Sequence, residues 1–226
     1  MMRSRINTIL RDADAFIRSH GFALPPFAHC SPDALQAGDH AQINARRMGW
    51  DVTDYGGGDF ERLGLVLFTL RNGTLAELRA GAGMVYAEKL LISQVDQLSP
   101  LHTHLVKSED IINRGGGTLV VELFGSTLDG QRDPDAPVTV VCDGIARTLP
   151  AGGKLRLAPG ESVTLRPGDW HAFWAEGSAC LIGEVSTVND DETDNVFDAP
   201  LPRFATIDED EAPWRLLVSD YPQFLS

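Results

Sequence analysis

Residues 100–117, PLHTHLVKSEDIINRGGG, place two histidines, a lysine, two acids, an arginine and three glycines in eighteen positions. His102 and His104 are separated by one residue. On a strand, successive side chains alternate faces, so both imidazoles point the same way. Two neutral imidazoles on one face make a natural pair of ligands for a divalent metal. Glu109 follows five residues after His104, the wrong parity for one uninterrupted strand. The chain must turn or bulge between them, which lets a carboxylate approach as a hard oxygen ligand. The glycines at 115–117 allow a tight reversal and read as a turn. HxH alone also suits two surface histidines; HxHx4E followed by glycine is far more specific.

A fourth ligand is expected from a distant strand. GESVTLRPGDWHAFW, residues 160–174, offers a glycine, a strand, a Pro167-Gly168 turn and then His171. Alone, a histidine beside Trp170, Phe173 and Trp174 reads as a satisfied structural residue. With HxHx4E upstream it reads as the missing ligand.

These residues need a scaffold. Residues 4–20 put Ile6, Ile9, Leu10, Ala13, Phe16 and Ile17 at helical spacing, with Ser4 as N-cap and Gly21 as stop. A second, weaker helix is predicted over 32–47, because Ser31-Pro32 matches an N-cap followed by proline at the first helical position. After Tyr55-Gly56-Gly57-Gly58 the texture changes. LGLVLFTLRNG, YAEKLLIS, GTLVVELFG, PVTVVCDG, GGKLRLAPG, ESVTLRPGD and ACLIGEVS are short apolar or alternating runs punctuated by Gly, Pro, Asp and Asn. Such a series predicts a β-sandwich or barrel rather than a βαβ sheet. The tail from about residue 189 is acidic and proline-rich, reads mostly as solvated loop, and ends in RLLVSDYP, one possible further strand.

Composition narrows the partners. A formal charge of −13 with no dense Lys/Arg run excludes a nucleic-acid partner and favours a neutral or weakly charged small molecule. No run approaches a membrane span, and MMRSRINTILRDADAF lacks the apolar core of an export signal. Cys30, Cys142 and Cys180 form no CxxC pair and suit a reducing cytoplasm. Asn72-Gly73-Thr74 matches a glycosylation acceptor, but without an export signal it reads as a turn.

HTHLVKSEDIINRGG and GESVTLRPGDWHAFWA resemble the paired motifs of the cupin superfamily, G-x5-HxH-x3,4-E-x6-G and G-x5-P-x-G-x2-H-x3-N. Asp96 stands where the first leading glycine is expected, six residues rather than five separate Gly160 from Pro167, and Ala175 replaces the final Asn. These departures touch turn geometry and leave the candidate ligands His102, His104, Glu109 and His171 in place. A narrower resemblance runs from about residue 3 to 222. GWDVTDYGGGDF, LFTLRNG, YAEKLLIS, LHTHLVKSEDIINRGGG, PGESVTLRPGDWHAFW, GEVSTVNDDETDN and RFATIDEDEAP are similar to the D-lyxose ketol-isomerase family, cupin aldose–ketose isomerases that use manganese or a similar divalent ion. The implied fold is mainly β: a single-domain cupin jelly-roll barrel over 51–226 with a C-terminal acidic loop, and a helical extension over 1–50 packed outside.

Three histidines and one carboxylate leave two open positions on an octahedral ion, which suits Mn²⁺, with Co²⁺, Fe²⁺, Ni²⁺ or Zn²⁺ as substitutes. Adjacent oxygens of an open-chain sugar can fill them, the ion stabilising an enediolate as a Lewis acid. Isomerisation then needs a base within reach of C1 and C2. Glu184, a charge on the apolar run ACLIGEVS, is one candidate. Glu209, in an acidic, lid-like loop with Asp208 and Glu211, is the other, chosen more on resemblance than on spacing. Alternation leaves Lys89 facing either solvent or lumen, and the resemblance favours a substrate-binding role. Lys107 and Asp110 flank Glu109 as possible supporting residues or plain surface, Lys107 being the candidate substrate contact. The expected reaction is D-lyxose to D-xylulose, with D-mannose to D-fructose by stereochemical similarity, in a homodimer. A cupin dioxygenase, a phosphosugar isomerase and a non-enzymatic sugar-binding barrel are the alternatives.

Overall fold

Apolar residues on both faces of one strand require partners on both sides, and residues 65–72 show how the chain meets that demand. In the computed structural model, which describes residues 1–191 and 193–225, helix α1 (Arg3–Ser19) opens the chain and is followed by the short α2 (Pro32–Ala37) and α3 (Ala41–Ala45). Strands β1 (Gly49–Thr53), β2 (Leu65–Asn72) and β3 (Tyr86–Ser93) come next, with α4 (Leu75–Ala80) between the last two. On β2, Leu65 and Leu67 enter the barrel core, whereas Val66 and Phe68 join a second cluster with Ile6, Ile9, Leu10, Ala13 and Ile17 of α1. The apolar stripe predicted from sequence therefore lies on the outer face of the sheet, where it covers Trp50, Leu90 and Ile92 as well.

The remaining strands are β4 (Ser99–His104), β5 (Glu109–Ser126), β6 (Arg132–Asp133), β7 (Val138–Cys142), β8 (Ile145–Leu149), β9 (Gly153–Leu157), β10 (Ser162–Leu165), β11 (Trp170–Thr187) and β12 (Asn195–Phe197). β5 and β11, each 18 residues long, run through both walls of the barrel. One wall reads β1-β2-β3-β11-β5-β10-β7-β8; in the other, β12 and β4 extend from β11 and β9 pairs the far half of β5. Between them lies a core that includes Leu67, Leu91, Ile111, Leu119, Val121, Leu123, Leu155, Val163, Phe173 and Ile182. This is the double-walled jelly-roll barrel that the motifs imply, with α1 packed outside. No helix among the described residues is long and apolar enough to cross a membrane.

Several local expectations are corrected. The glycines at 115–117 are not a terminal turn: they lie inside β5, opposite register shifts in β11 between Glu176 and Cys180 and between Leu181 and Ile182. Gly116 has φ +96°, and a Cβ there would meet Ala179 O at 2.0 Å. The triplet is a glycine bulge that bends a continuous strand from one wall to the other. The helix predicted over 32–47 is two pieces. Ser31 Oγ does accept the Ala34 N–H at 3.2 Å, but α2 ends at Gly38. Ser4 does not cap α1. Its N–H and hydroxyl instead donate to Asp210 Oδ1 and Oδ2 at 2.9 and 2.6 Å, so the tail supplies the cap. RLLVSDYP is no strand: one bridge joins Leu217 to Trp50 before the short helix α5 (Tyr221–Phe224). β1 begins at Gly49, at the end of the 1–50 helical extension.

Candidate active site

The alternation of β4 turns His102 and His104 toward the barrel interior, and antiparallel pairing sets His171 of β11 directly opposite His102. One nitrogen from each of the three rings lies within 4.8 Å of the others. His102 Nδ1 lies 2.8 Å from Pro100 O and His171 Nδ1 lies 3.1 Å from Asp169 O. Those carbonyls can only accept, so Nδ1 carries a proton and Nε2 is the nitrogen turned to the cluster.

Between His104 and Glu109 the chain turns, and Asp194 holds that turn. Its Oδ1 accepts the N–H groups of Leu105 and Val106 at 3.0 and 2.7 Å, and its Oδ2 accepts that of Lys107 at 3.0 Å. Glu109 then starts β5 with its Oε1 3.2 Å from both His104 Nε2 and His171 Nε2. None of these three atoms has a hydrogen-bond partner among the described residues, and all are buried. Burial and the neighbouring His171 and His104 pull the His102 imidazole well below its ordinary pKa. Burial and Lys107 lower His104 as well. Burial alone would raise the Glu109 carboxyl, but the Lys107 ammonium outweighs it and holds it well below the carboxylate range. Lowered pKa values at His102 and His104, an ionised Glu109 carboxylate and buried ring nitrogens and a carboxylate oxygen without partners among the described residues are what a divalent ion needs and what is costly without it. The donor set fits such an ion.

Beside this cluster lies a charged strip. Lys89 and Glu184 are direct cross-strand partners on β3 and β11, with Lys89 Nζ 3.3 Å from Glu184 Oε1. Lys107 Nζ reaches Glu109 Oε2 at 2.6 Å and Glu184 Oε1 at 3.0 Å. Burial acts to lower the Lys107 pKa, but Glu109 and Glu184 reverse this and raise it, so the ammonium stays charged. Lys89, Lys107, Glu109, Glu184 and the three histidines line one small cavity of about 40 Å³, walled on its other sides by Leu65, Leu67, Leu91, Phe173 and Phe197. Its mix of an apolar wall with a few convergent polar groups is that of a small-molecule site.

Two expectations point elsewhere. Glu209 does not line the cavity. Its carboxylate is bound by Arg3 Nε and Nη2 at 2.8 and 2.6 Å on the α1 side, and its side chain is 54% exposed. The acidic loop around it is no lid: Asp210 caps α1 and Glu211 Oε1 accepts from Asn7 Nδ2 at 2.7 Å. Glu209→Gln should therefore change turnover by less than about twofold, because it touches no reacting group, while lowering the melting temperature; kinetics and thermal melts on one preparation check this. Asp110, opposite in parity to Glu109 and Ile111, pairs with Thr164 and Val185 and is outside the cavity lining.

Residues not singled out from the sequence complete the site. Asp191 and Arg203 line the cavity, and Arg203 Nη2 lies 2.9 Å from Asp51 and 3.3 Å from Asp191. Burial would raise the Asp191 carboxyl, yet Arg203, Lys89 and Lys107 drive it far down. Asp191 and Asp194 sit inside NDDETDN, a run that looked solvated, and only the mixture of Asn with Asp there hinted at turn-capping work.

A family model described as D-lyxose isomerase matches residues 1–221. A D-lyxose/D-mannose isomerase of Serratia proteamaculans is 46% identical over 232 residues, covering 100% of both chains. One of Escherichia coli O157:H7 is 46% identical over 233 residues, covering 99% of this chain and 100% of the relative. Among solved structures, the Cellulomonas parahominis L-ribose isomerase with L-ribose superposes with a TM-score of 0.60 at 20% identity, over 92% of this chain and 98% of that one. The Acinetobacter sp. DL28 L-ribose isomerase with L-ribose gives 0.59 at 16% identity, over 91% and 98%.

Proposed function

The chain belongs to the D-lyxose isomerase family, and from that premise we propose that it interconverts D-lyxose with D-xylulose and D-mannose with D-fructose in the cavity between β3, β4, β5 and β11. The observation that carries this reading is the Glu184 carboxylate, buried on the lumen wall between two ammonium groups and beside the His102–His104–Glu109–His171 cluster.

His102, His104, Glu109 and His171 would hold a divalent ion, for which Mn²⁺ is our assignment. When bound, that ion polarises the carbonyl of an open-chain sugar and so acidifies the neighbouring C–H. Glu184 takes the C2 proton and returns it to C1 while the C2 hydroxyl proton passes to the C1 oxygen, so that its own charge is restored at the end of the cycle. Lys107 and Lys89 flank Glu184 and face the negative charge that develops on the sugar oxygens as the proton moves. Leu65, Leu67, Leu91 and Phe173 exclude water from the enediol stage.

A phosphorylated sugar is disfavoured, because the cations facing the cavity are already spoken for: Lys107 by Glu109 and Glu184, Lys89 by Glu184 and Asp191, Arg203 by Asp51 and Asp191. A dioxygenase or a passive sugar-binding barrel gives Glu184 no proton to move. We further assign the working form as a cytoplasmic homodimer. Removal of metal by EDTA should abolish D-lyxose turnover and Mn²⁺ should restore it; absence of turnover in every metal state would overturn the proposal.

A further inference from the structure

The Asn72-Gly73-Thr74 motif places its asparagine at the end of β2, where it is buried and where the proton transfer makes no use of it. Its carboxamide grips residue 189 from both sides. Nδ2 donates to Asn189 O at 2.9 Å, and Oδ1 accepts the Asn189 N–H at 3.0 Å. Nδ2 also donates to Arg46 O at 3.2 Å. Such a two-point contact is the pattern of a β-bridge, supplied here by a side chain. It acts on a residue of the β11–β12 connection that has no strand neighbour to fix it.

The side chain of Asn189 works on the other side. Its Oδ1 accepts from Lys89 Nζ at 2.6 Å and from Lys107 Nζ at 3.5 Å. The two ammonium groups can only donate, so the oxygen end of the amide faces the lysines; the reverse orientation would turn N–H donors toward them. Lys107 is held independently by Glu109 at 2.6 Å. Lys89 is not: its contacts with Glu184 and Asp191 are 3.3 and 3.6 Å, so Asn189 is its shortest partner. A lysine reaches its target through a flexible four-carbon stem, and whatever binds its tip decides where the charge sits.

We propose that Asn72 and Asn189 are a positioning pair that aims the Lys89 ammonium at Glu184 and at the sugar beside it, with Asn72 acting only through Asn189. Neither asparagine lines the catalytic cavity; both line a separate groove with Arg46, Thr74 and Val188. This rests on the isomerase reading given above.

The test is a double-mutant cycle on Mn²⁺-loaded protein with D-lyxose. Asn72→Ala and Asn189→Ala should each lower kcat/KM by about 10- to 100-fold, mostly in kcat, as misplacement of one group by about 1 Å does. Combined, they should cost no more than Asn189→Ala alone. In a Lys89→Met background each should change kcat/KM by less than about twofold, because the group they aim is gone. Asn72→Asp keeps the acceptor for the Asn189 N–H but loses the donor, and should fall between Asn72→Ala and the unaltered chain. Equal losses with and without Lys89, or losses that track only a fall in metal content or melting temperature, would overturn the pair. If Asn72→Ala fails to fold, the Asn189→Ala and Lys89→Met cycle decides alone. An unaltered protein without isomerase activity removes the underlying reading, whereas an active protein with unaffected variants removes only this inference.

Discussion

Glu184→Gln is expected to lower kcat for D-lyxose by about 10²- to 10⁴-fold, the range that a positioned general base contributes, with bound metal unchanged. The amide keeps the shape and the neutral contacts of the carboxylate but cannot take a proton from carbon. The substitution also removes the negative charge that Lys89 and Lys107 share at 3.3 and 3.0 Å. Both lysines keep other partners, Lys107 at Glu109 and Lys89 at Asn189 and Asp191, so the fold should survive. Metal content measured beside kcat separates the two functions of the strip. Retained turnover would return the base assignment to another acid, of which Asp191 is the cavity-lining alternative. Because Glu184 does not belong to the histidine cluster, loss of metal together with activity would equally sink this division of labour.

His171→Ala should abolish stoichiometric metal binding and, with it, turnover. His171 couples the two walls of the site: it is the cross-strand partner of His102 and its Nε2 faces Glu109 Oε1 at 3.2 Å. Its replacement removes a nitrogen donor from a distant strand and leaves three candidate ligands that lie within one local segment. The decisive readout is independent of activity. An ion that binds only the folded state stabilises it by about 2.7 kcal/mol at a hundredfold excess over Kd, which for a chain of this size is roughly 5–10 °C in Tm. Added Mn²⁺ should therefore raise the melting temperature of the unaltered, EDTA-stripped protein and leave that of His171→Ala where it was. An equal upward shift in both would place the ion elsewhere.

Much of the site is legible in one dimension because its chemistry rides on strand parity. His102 and His104 share a face since strands have a period of two, and a glutamate at the wrong parity demands the turn that the structure contains between β4 and β5. Lys89 could not be settled that way, because β3 is buried on both faces; only the barrel decides which face is the lumen. Glu209 misled because an acidic loop near the end of the chain carries no sign of its partner. That partner, Arg3, is 206 positions away. The glycines at 115–117 misled for the opposite reason: glycine signals freedom from a Cβ, and both a turn and a bulge in a bent strand require it.

What the sequence determined by itself is therefore whatever depends on near neighbours: an apolar stripe on α1, alternating strands, the paired histidines, and a motif specific enough to imply a jelly-roll barrel. What only the tertiary structure decided is which charges meet. Asp194 satisfies three N–H groups of residues 105–107, Asn189 reaches Lys89, and Arg203 bridges Asp51 and Asp191, each across separations no local pattern encodes. The physical reason is that a buried polar group must find a partner wherever the fold brings one. An acid in NDDETDN looks like surface until the barrel closes over it.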